Sequence, residues 1–274
     1  MSEIFKALIL GIVQGLSEFL PISSTGHLIV IPELLGWDGL VSSLSFDVAL
    51  HLGTTLAVLA FFWRDWMRLV RAFITNLSSG PSQVFAEKDS RLFVLLILGS
   101  IPAGVLGFLI QEQVETSLRD PVYVALALII FAFVLAWADT IKGNRQADKI
   151  SIFDSIFIGV AQAISLFPGV SRSGATITAG LLRGLSREEA TRFSFLLSTP
   201  IVVGAAAFKF KELFVEGGFQ GGADLFLVGG VAAAVSGWFA IKWLLKFVQT
   251  NSFKPFVIYR IVLGVAILLA TFLR

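Results

Sequence analysis

Six apolar stretches, at approximately 45–63, 92–110, 121–138, 193–210, 225–241 and 256–272, constrain this chain more than any other feature. A bilayer core is crossed by about 20 residues of helix. No water reaches the backbone there, so a lone spanning segment satisfies its own N–H and C=O groups by forming a helix. Composition agrees. Of 274 residues, 56% are hydrophobic and 15% charged, against roughly a quarter charged in soluble domains, too few to clothe a water-facing shell. The expectation is one all-α integral membrane domain over residues 1–274. A net charge of +2 gives no footing for nucleic acid, and the lack of cysteine excludes disulfides and thiolate chemistry. The opening "MSEIFKALILGIVQGLSEF" imitates a signal peptide. Gln14, Ser17 and Glu18 interrupt its apolar run and no small-x-small cleavage site follows, so it is read as part of the mature chain.

Charge sets the expected orientation. Residues 64–91 carry Arg64, Arg68, Arg71, Lys88 and Arg91, and residues 139–151 carry Lys142, Arg145 and Lys149. The connection between them, "QEQVETSLRD", is mostly acidic. Basic loops stay cytoplasmic, which puts 64–91 and 139–151 inside and the acidic connection outside; Lys242, Lys246 and Lys254 mark another inside loop. The segment 209–224 is mixed, with Lys209 and Lys211 partly balanced by Glu212 and Glu216. Arg64, Arg68 and Arg71 read as an anchor for acidic lipid, and Arg260, near the start of the last span, as a side chain that snorkels to the cytoplasmic face.

Two further stretches are too short and too polar to cross alone: "GIVQGLSEFLPISSTGH" (11–27) and "GVAQAISLFPGVSRSGAT" (159–176). Each meets a proline and then a run of Ser and Gly. Irregular backbone is tolerated at membrane depth only where protein or a wet cavity satisfies it, so both read as re-entrant helical hairpins. A gapless shift of 148 lays Gly11 on Gly159, Gln14 on Gln162, Ser17 on Ser165, Phe19 on Phe167, Ser23 on Ser171, Thr25 on Ser173 and Gly26 on Gly174. The same shift carries the first span onto the fourth. Each half, approximately 1–145 and 146–274, then holds one hairpin and three spans. Three is odd, so the second copy enters from the opposite leaflet, an inverted-topology repeat. Interrupted segments in corresponding positions of such repeats point to a binding site near the midplane.

The pooled side chains suggest what binds. Intramembrane ionisable residues are functional candidates by default. Arg172 carries a planar fork suited to phosphate oxygens. Ser23, Ser24, Thr25, Ser171, Ser173 and Thr176 offer hydroxyls, and the glycines allow backbone N–H groups to form an anion-binding concavity. The competing reading of Arg172 is a structural pair with Glu18. Glu18 shares a helical face with Gln14; beside a phosphate it needs a cation or a proton, so it is a candidate divalent-cation ligand, with Gln14 as a second, or a general base. The alternative is a neutral, buried acid. His27 is a candidate for proton transfer and Ser24, three residues before it, for nucleophile. His51, without polar company in the sequence, reads as structural. No G-x-x-x-x-G-K-[ST] or H-E-x-x-H occurs, and "GVSRS" spoils a G-x-S-x-G elbow.

"QGLSEFLPISSTGH" and "PGVSRSGAT" together resemble the two motifs of bacterial undecaprenyl-diphosphate phosphatases of the bacitracin-resistance type, and the likeness extends to "FSFLLSTPIVVGA" and "IYR". The resemblance implies hydrolysis of a C55 polyprenyl diphosphate to the monophosphate, recycling the carrier lipid of cell-wall synthesis. It also implies an inner-membrane enzyme, a divalent cation such as Mg²⁺ or Ca²⁺, and a site open to the outer face. By matching position, Glu18, Ser24, His27 and Arg172 are the principal functional residues, while Ser23, Ser171, Ser173 and Thr176 line the phosphate pocket. This chain has Gln14 where many relatives have Glu, which weighs against a two-carboxylate metal site. The partners implied are the lipid substrate and the surrounding membrane lipid; a homodimer is left open. Two rivals were weighed. A transporter or flippase for a phosphorylated lipid or small anion shares the broken-helix repeat. The type-2 phosphatidic acid phosphatases need a histidine after the Ser-Arg motif, and none follows Arg172.

Overall fold

The computed structural model describes residues 2–115, 118–215 and 222–273. Among these residues the chain is helical and free of named strands, in the order α1 (Glu3–Phe19), α2 (Ser24–Leu35), α3 (Leu44–Leu77), α4 (Pro81–Ala86), α5 (Lys88–Glu115), α6 (Pro121–Asp139), α7 (Ile152–Ile164), α8 (Arg172–Leu182), α9 (Arg187–Val215), α10 (Ala223–Phe247) and α11 (Lys254–Phe272). Six segments are long and apolar enough to cross a membrane: Leu44–Leu77, Lys88–Ile110, Pro121–Asp139, Arg187–Phe208, Ala223–Phe247 and Lys254–Phe272. They coincide with the six apolar stretches of the sequence. The mixed segment 209–224 falls partly outside the described residues.

At 34 residues, α3 rises about 50 Å at 1.5 Å per residue, well beyond a hydrocarbon core of about 30 Å. Its surplus is the basic end. There the cations tie helices to one another: Arg68 to Asp89 at 3.0 Å, Arg192 to Asp65 at 2.6 Å, Arg187 to Asp139 at 2.5 Å. Arg145 and Arg183 share Asp154, each at 2.5 Å. Arg68, expected to face acidic lipid, is thus engaged by protein carboxylates, and Arg64 lies over the Trp63 ring. Burial works to raise the Asp154 carboxyl, and donation from Arg145, Ser151 and Arg183 outweighs it, holding the group well below the usual carboxylate range.

The two short stretches form helix–turn–helix units, α1–α2 and α7–α8. Pro21 ends the first arm, since the residue before a proline is driven out of the helical region; Leu20 is extended accordingly. The second arms begin identically. Ser23 (φ 71°) and Ser171 (φ 73°) are the positive-φ residues other than glycine among the described residues. Each accepts from the N–H of the residue three further on, Gly26 and Gly174. Both positions, and both donors, are related by the shift of 148. Such backbone costs about 1–3 kcal/mol per residue and persists only where its surroundings over-determine it.

Packing runs across the halves. Helix α1 lies on α10 and α7 lies on α5, while α6 and α11 pack together. Gly11 and Gly159 make the first two contacts close: a Cβ at Gly11 would run into the Gly229 carbonyl, and one at Gly159 into the Gly99 carbonyl. Small residues permit this approach where lipid removes the usual hydrophobic drive.

Arg260 departs from expectation. It does not snorkel; it is fully buried (0% exposed). Its guanidinium donates to the carbonyls of Leu128 (3.2 Å), Pro21 (3.3 Å), Gly169 (3.0 Å) and Val170 (2.9 Å). Both broken turns leave carbonyls that no helix satisfies, and α11 aims one five-donor fork between them. Pro21 and Gly169 are themselves related by the shift of 148.

Candidate active site

The turns of the two units meet at Glu18. Glu18 is buried, 7% exposed, and polar groups from both units converge on its carboxylate. Arg172, the first residue of α8, forms an ion pair with Oε1. The Ser24 hydroxyl, at the start of α2, donates to Oε2 at 2.5 Å, and Gln14 Nε2 donates to the same oxygen at 3.1 Å. The Arg172–Glu18 pair that was the structural alternative therefore forms, on the floor of a cavity. Ser173 completes the junction, donating to the Leu20 carbonyl at 3.0 Å while lying 3.2 Å from the Ser171 hydroxyl.

This cavity has a volume of about 330 Å³. Glu18, Ser23, Ser24, Thr25, Ser171 and Arg172 form its polar floor. Leu44, Val48, Leu166, Phe167, Ile201 and Val202 make an apolar flank from α3, the second turn and α9. Convergent hydroxyls and a guanidinium beside an oily wall suit an amphiphile with an anionic head.

Other expected residues stand behind that surface. Thr176 is buried, donates to the Arg172 carbonyl at 2.8 Å and lies 2.5 Å from the Ser194 hydroxyl. His27 does not line the cavity. Its Nδ1 lies 2.7 Å from the Ser23 carbonyl, which can only accept, so Nδ1 carries the proton; Nε2, at 2.7 Å from Tyr259 Oη, accepts. The two rings stack at 5.7 Å. His27 thereby holds the strained Ser23 from beneath.

Polar cavity residues beyond those singled out by the sequence include His51, Asp47, Thr55 and Arg119. His51, read there as structural, lines the cavity. Its Nδ1 donates to the Asp47 carbonyl at 2.7 Å, leaving Nε2 turned towards Glu18 Oε2 at 3.9 Å. Asp47, His51 and Thr55 all reach the cavity because residues four apart share one face of α3. That polar stripe in an otherwise apolar span was the available signal. Arg119, hidden in a connection read as mostly acidic, also lines the cavity and donates to Asp47 Oδ2 at 2.9 Å. Gln162, the counterpart of Gln14, faces the cavity 1% exposed with neither amide atom partnered among the described residues.

No three His, Cys, Asp or Glu side chains gather for a metal among the described residues. Among those residues, the carboxylates that reach the cavity to meet a hard cation are Glu18 and Asp47, each already engaged by an arginine, so substrate oxygens would have to supply most of the ligands. Gln14 turns its NH₂ towards Glu18, and its Oε1 is buried without a partner among the described residues.

Known proteins resemble this chain along most of its length. The family model described as bacitracin resistance protein BacA matches residues 7–266. Proteins named undecaprenyl-diphosphatase are similar throughout. That of Thermodesulfovibrio yellowstonii is 44% identical over 274 residues, covering 100% of both chains. Those of Pelotomaculum thermopropionicum and Moorella thermoacetica are 45% and 46% identical, covering 97% and 99% of this chain and 96% and 99% of their own. With a family model matched over most of its length and relatives this similar from end to end, the chain belongs to the bacitracin resistance protein BacA family.

Proposed function

We propose that this chain is a membrane phosphatase that hydrolyses undecaprenyl diphosphate to the monophosphate and phosphate, recycling the carrier lipid for cell-wall synthesis. The observation that carries the reading is Glu18, gripped at once by Arg172 and Ser24 in a cavity lined by both hydroxyl-bearing and apolar side chains. The names of the full-length relatives agree with it, and no observation favours the transporter reading.

Arg172 exchanges Glu18 for the terminal phosphate, and the hydroxyls of Ser23, Ser24, Thr25 and Ser171 donate to its remaining oxygens. Stabilising charge on those oxygens supplies most of the rate in phosphoryl transfer. Glu18 takes the proton of the attacking hydroxyl, which belongs to Ser24 or to a water held by Ser24. The new O–P bond forms as the bridging P–O bond breaks, and the polyprenyl monophosphate departs with the bridging oxygen. On the Ser24 route a water then releases phosphate from the serine. His27 keeps the Ser23–Ser24 turn in its strained form. A bound Mg²⁺ or Ca²⁺, held by Glu18 and the substrate, would neutralise phosphate charge.

The surroundings support a bacterial inner-membrane site open to the outer face. The cavity draws on the N-terminal part of α3, through Asp47 and His51, and on the α5–α6 connection. These lie at the opposite end of α3 from Arg64, Arg68 and Arg71, and the basic end belongs inside. The two helix–turn–helix units are re-entrant hairpins of an inverted repeat in the same proposal, with their matching positive-φ serines in support.

The test is phosphate release from undecaprenyl diphosphate by purified protein. One phosphate per lipid is expected, with Ser24→Ala reduced by about 10²-fold or more. Lipid bound without phosphate release would overturn the reading. Full activity in Ser24→Ala would exclude Ser24 both as the nucleophile and as the holder of the attacking water.

A further inference from the structure

The cavity contains two arginine–carboxylate pairs. Arg172–Glu18 forms the floor, and Arg119–Asp47 stands on the wall where the α5–α6 connection meets α3. The proposed substrate carries two phosphates and the lipid product one. We infer that Arg119 is the receptor for the second, lipid-bound phosphate, so that the cavity reads a diphosphate by two guanidinium forks. This rests on the proposed function and assigns within it what distinguishes substrate from product.

Three features carry the assignment. Arg119 shares an uninterrupted cavity with Arg172. Its only carboxylate contact among the described residues is the single 2.9 Å bond from Nη2 to Asp47, so the other guanidinium donors are free to take phosphate oxygens in the paired geometry arginine favours. It is partly accessible, its side chain 28% exposed against 13% for Asp47, as a group at the entrance requires. The apolar flank beside it, with Leu44 and Val48, receives the carbon chain that begins at this phosphate. In the product complex, the monophosphate has one head group for two forks and stays with Arg119, leaving Arg172 without a phosphate. Loss of the second contact favours release.

A merely structural role, tying the α5–α6 connection to α3, predicts something different, because Asp47 and Arg119 would then matter equally. The experiment uses the full-length purified chain in detergent. Affinities are measured for a methylene-bridged polyprenyl bisphosphonate, which cannot be hydrolysed, and for the matching polyprenyl monophosphate. Arg119→Gln is expected to weaken the bisphosphonate by about tenfold or more, the scale of one lost charge-assisted contact. Its monophosphate affinity should fall by a comparable factor, because the phosphate that lipid carries is the one assigned to Arg119. Asp47→Asn, which removes the competing carboxylate, should leave bisphosphonate affinity intact or tighter. Unchanged affinity of Arg119→Gln for either lipid, or equal damage from Arg119→Gln and Asp47→Asn, would each overturn the inference. Failure of the unmodified chain to release phosphate would strike the function alone, because these affinities are read without turnover.

Discussion

Replacing Arg260 with alanine removes four hydrogen bonds that end on three separate pieces of backbone: Pro21 in the first turn, Gly169 and Val170 in the second, and Leu128 in α6. Each bond to a charged donor is worth about 1.5–3 kcal/mol, and each carbonyl left dry costs about 1–3 kcal/mol. Burying the guanidinium has its own large desolvation cost, which the substitution relieves. The net is therefore well short of the gross, at about 3–5 kcal/mol, the usual loss when a buried charged network is broken. At the sensitivity of a domain this size, that shift lowers the midpoint of thermal unfolding by on the order of 10 °C. Arg260→Lys keeps the charge yet cannot span the carbonyls with one compact ammonium, so it should fall between. The assay pairs thermal unfolding in detergent with phosphate release. Both turns lose their common tether, so activity should fall at temperatures where the protein remains folded. An Arg260→Ala variant with unchanged midpoint and unchanged turnover would refute the view that this side chain holds the two strained turns together.

Other expectations are narrower. Tyr259→Phe deletes the O–H donated to His27 and should cost about 0.5–1.5 kcal/mol of stability with little change in KM; collapse of turnover at retained stability would place the His27 imidazole in the chemistry itself. Gly159→Leu drives a side chain into the Gly99 carbonyl and should destabilise the protein by about 1–3 kcal/mol or more, read by thermal unfolding, whereas the same change at the unobstructed Gly204 should be mild. Asp154 has its folded-state carboxyl held below the ordinary range, so it contributes stability that is complete above the unfolded value of about 4 and fades as pH falls through the folded one. Asp154→Asn should therefore narrow the stability difference between pH 7 and pH 3, and an identical pH profile in the variant would contradict the assignment.

The spans were legible because a single physical demand, backbone satisfaction in hydrocarbon, writes itself into every one of them as an apolar run. The meeting of Glu18, Ser24 and Arg172 was legible too, through two interrupted segments whose irregular backbone required company. What escaped depended on direction rather than residue type. Arg260 near the start of a span is equally consistent with snorkelling and with burial, and only the packing of α11 on α6 aims it at the turn carbonyls. His51 and Arg119 reach the cavity because α3 and the α5–α6 connection converge there, a tertiary fact with no local pattern beyond the spacing of Asp47, His51 and Thr55. His27, adjacent to the hydroxyl cluster in sequence, is turned by one helical step towards Tyr259.

The account rests on Arg172 reaching across from the second unit to the phosphate held over Ser24 and Glu18. Phosphate release from undecaprenyl diphosphate by Arg172→Ala, with folding verified by thermal unfolding and lipid binding measured alongside, tests this most directly. An arginine that stabilises the transferring group is worth about 10³–10⁵ in turnover, so the variant should be nearly inert while still folded. Turnover within a few-fold of the unmodified protein would contradict the site.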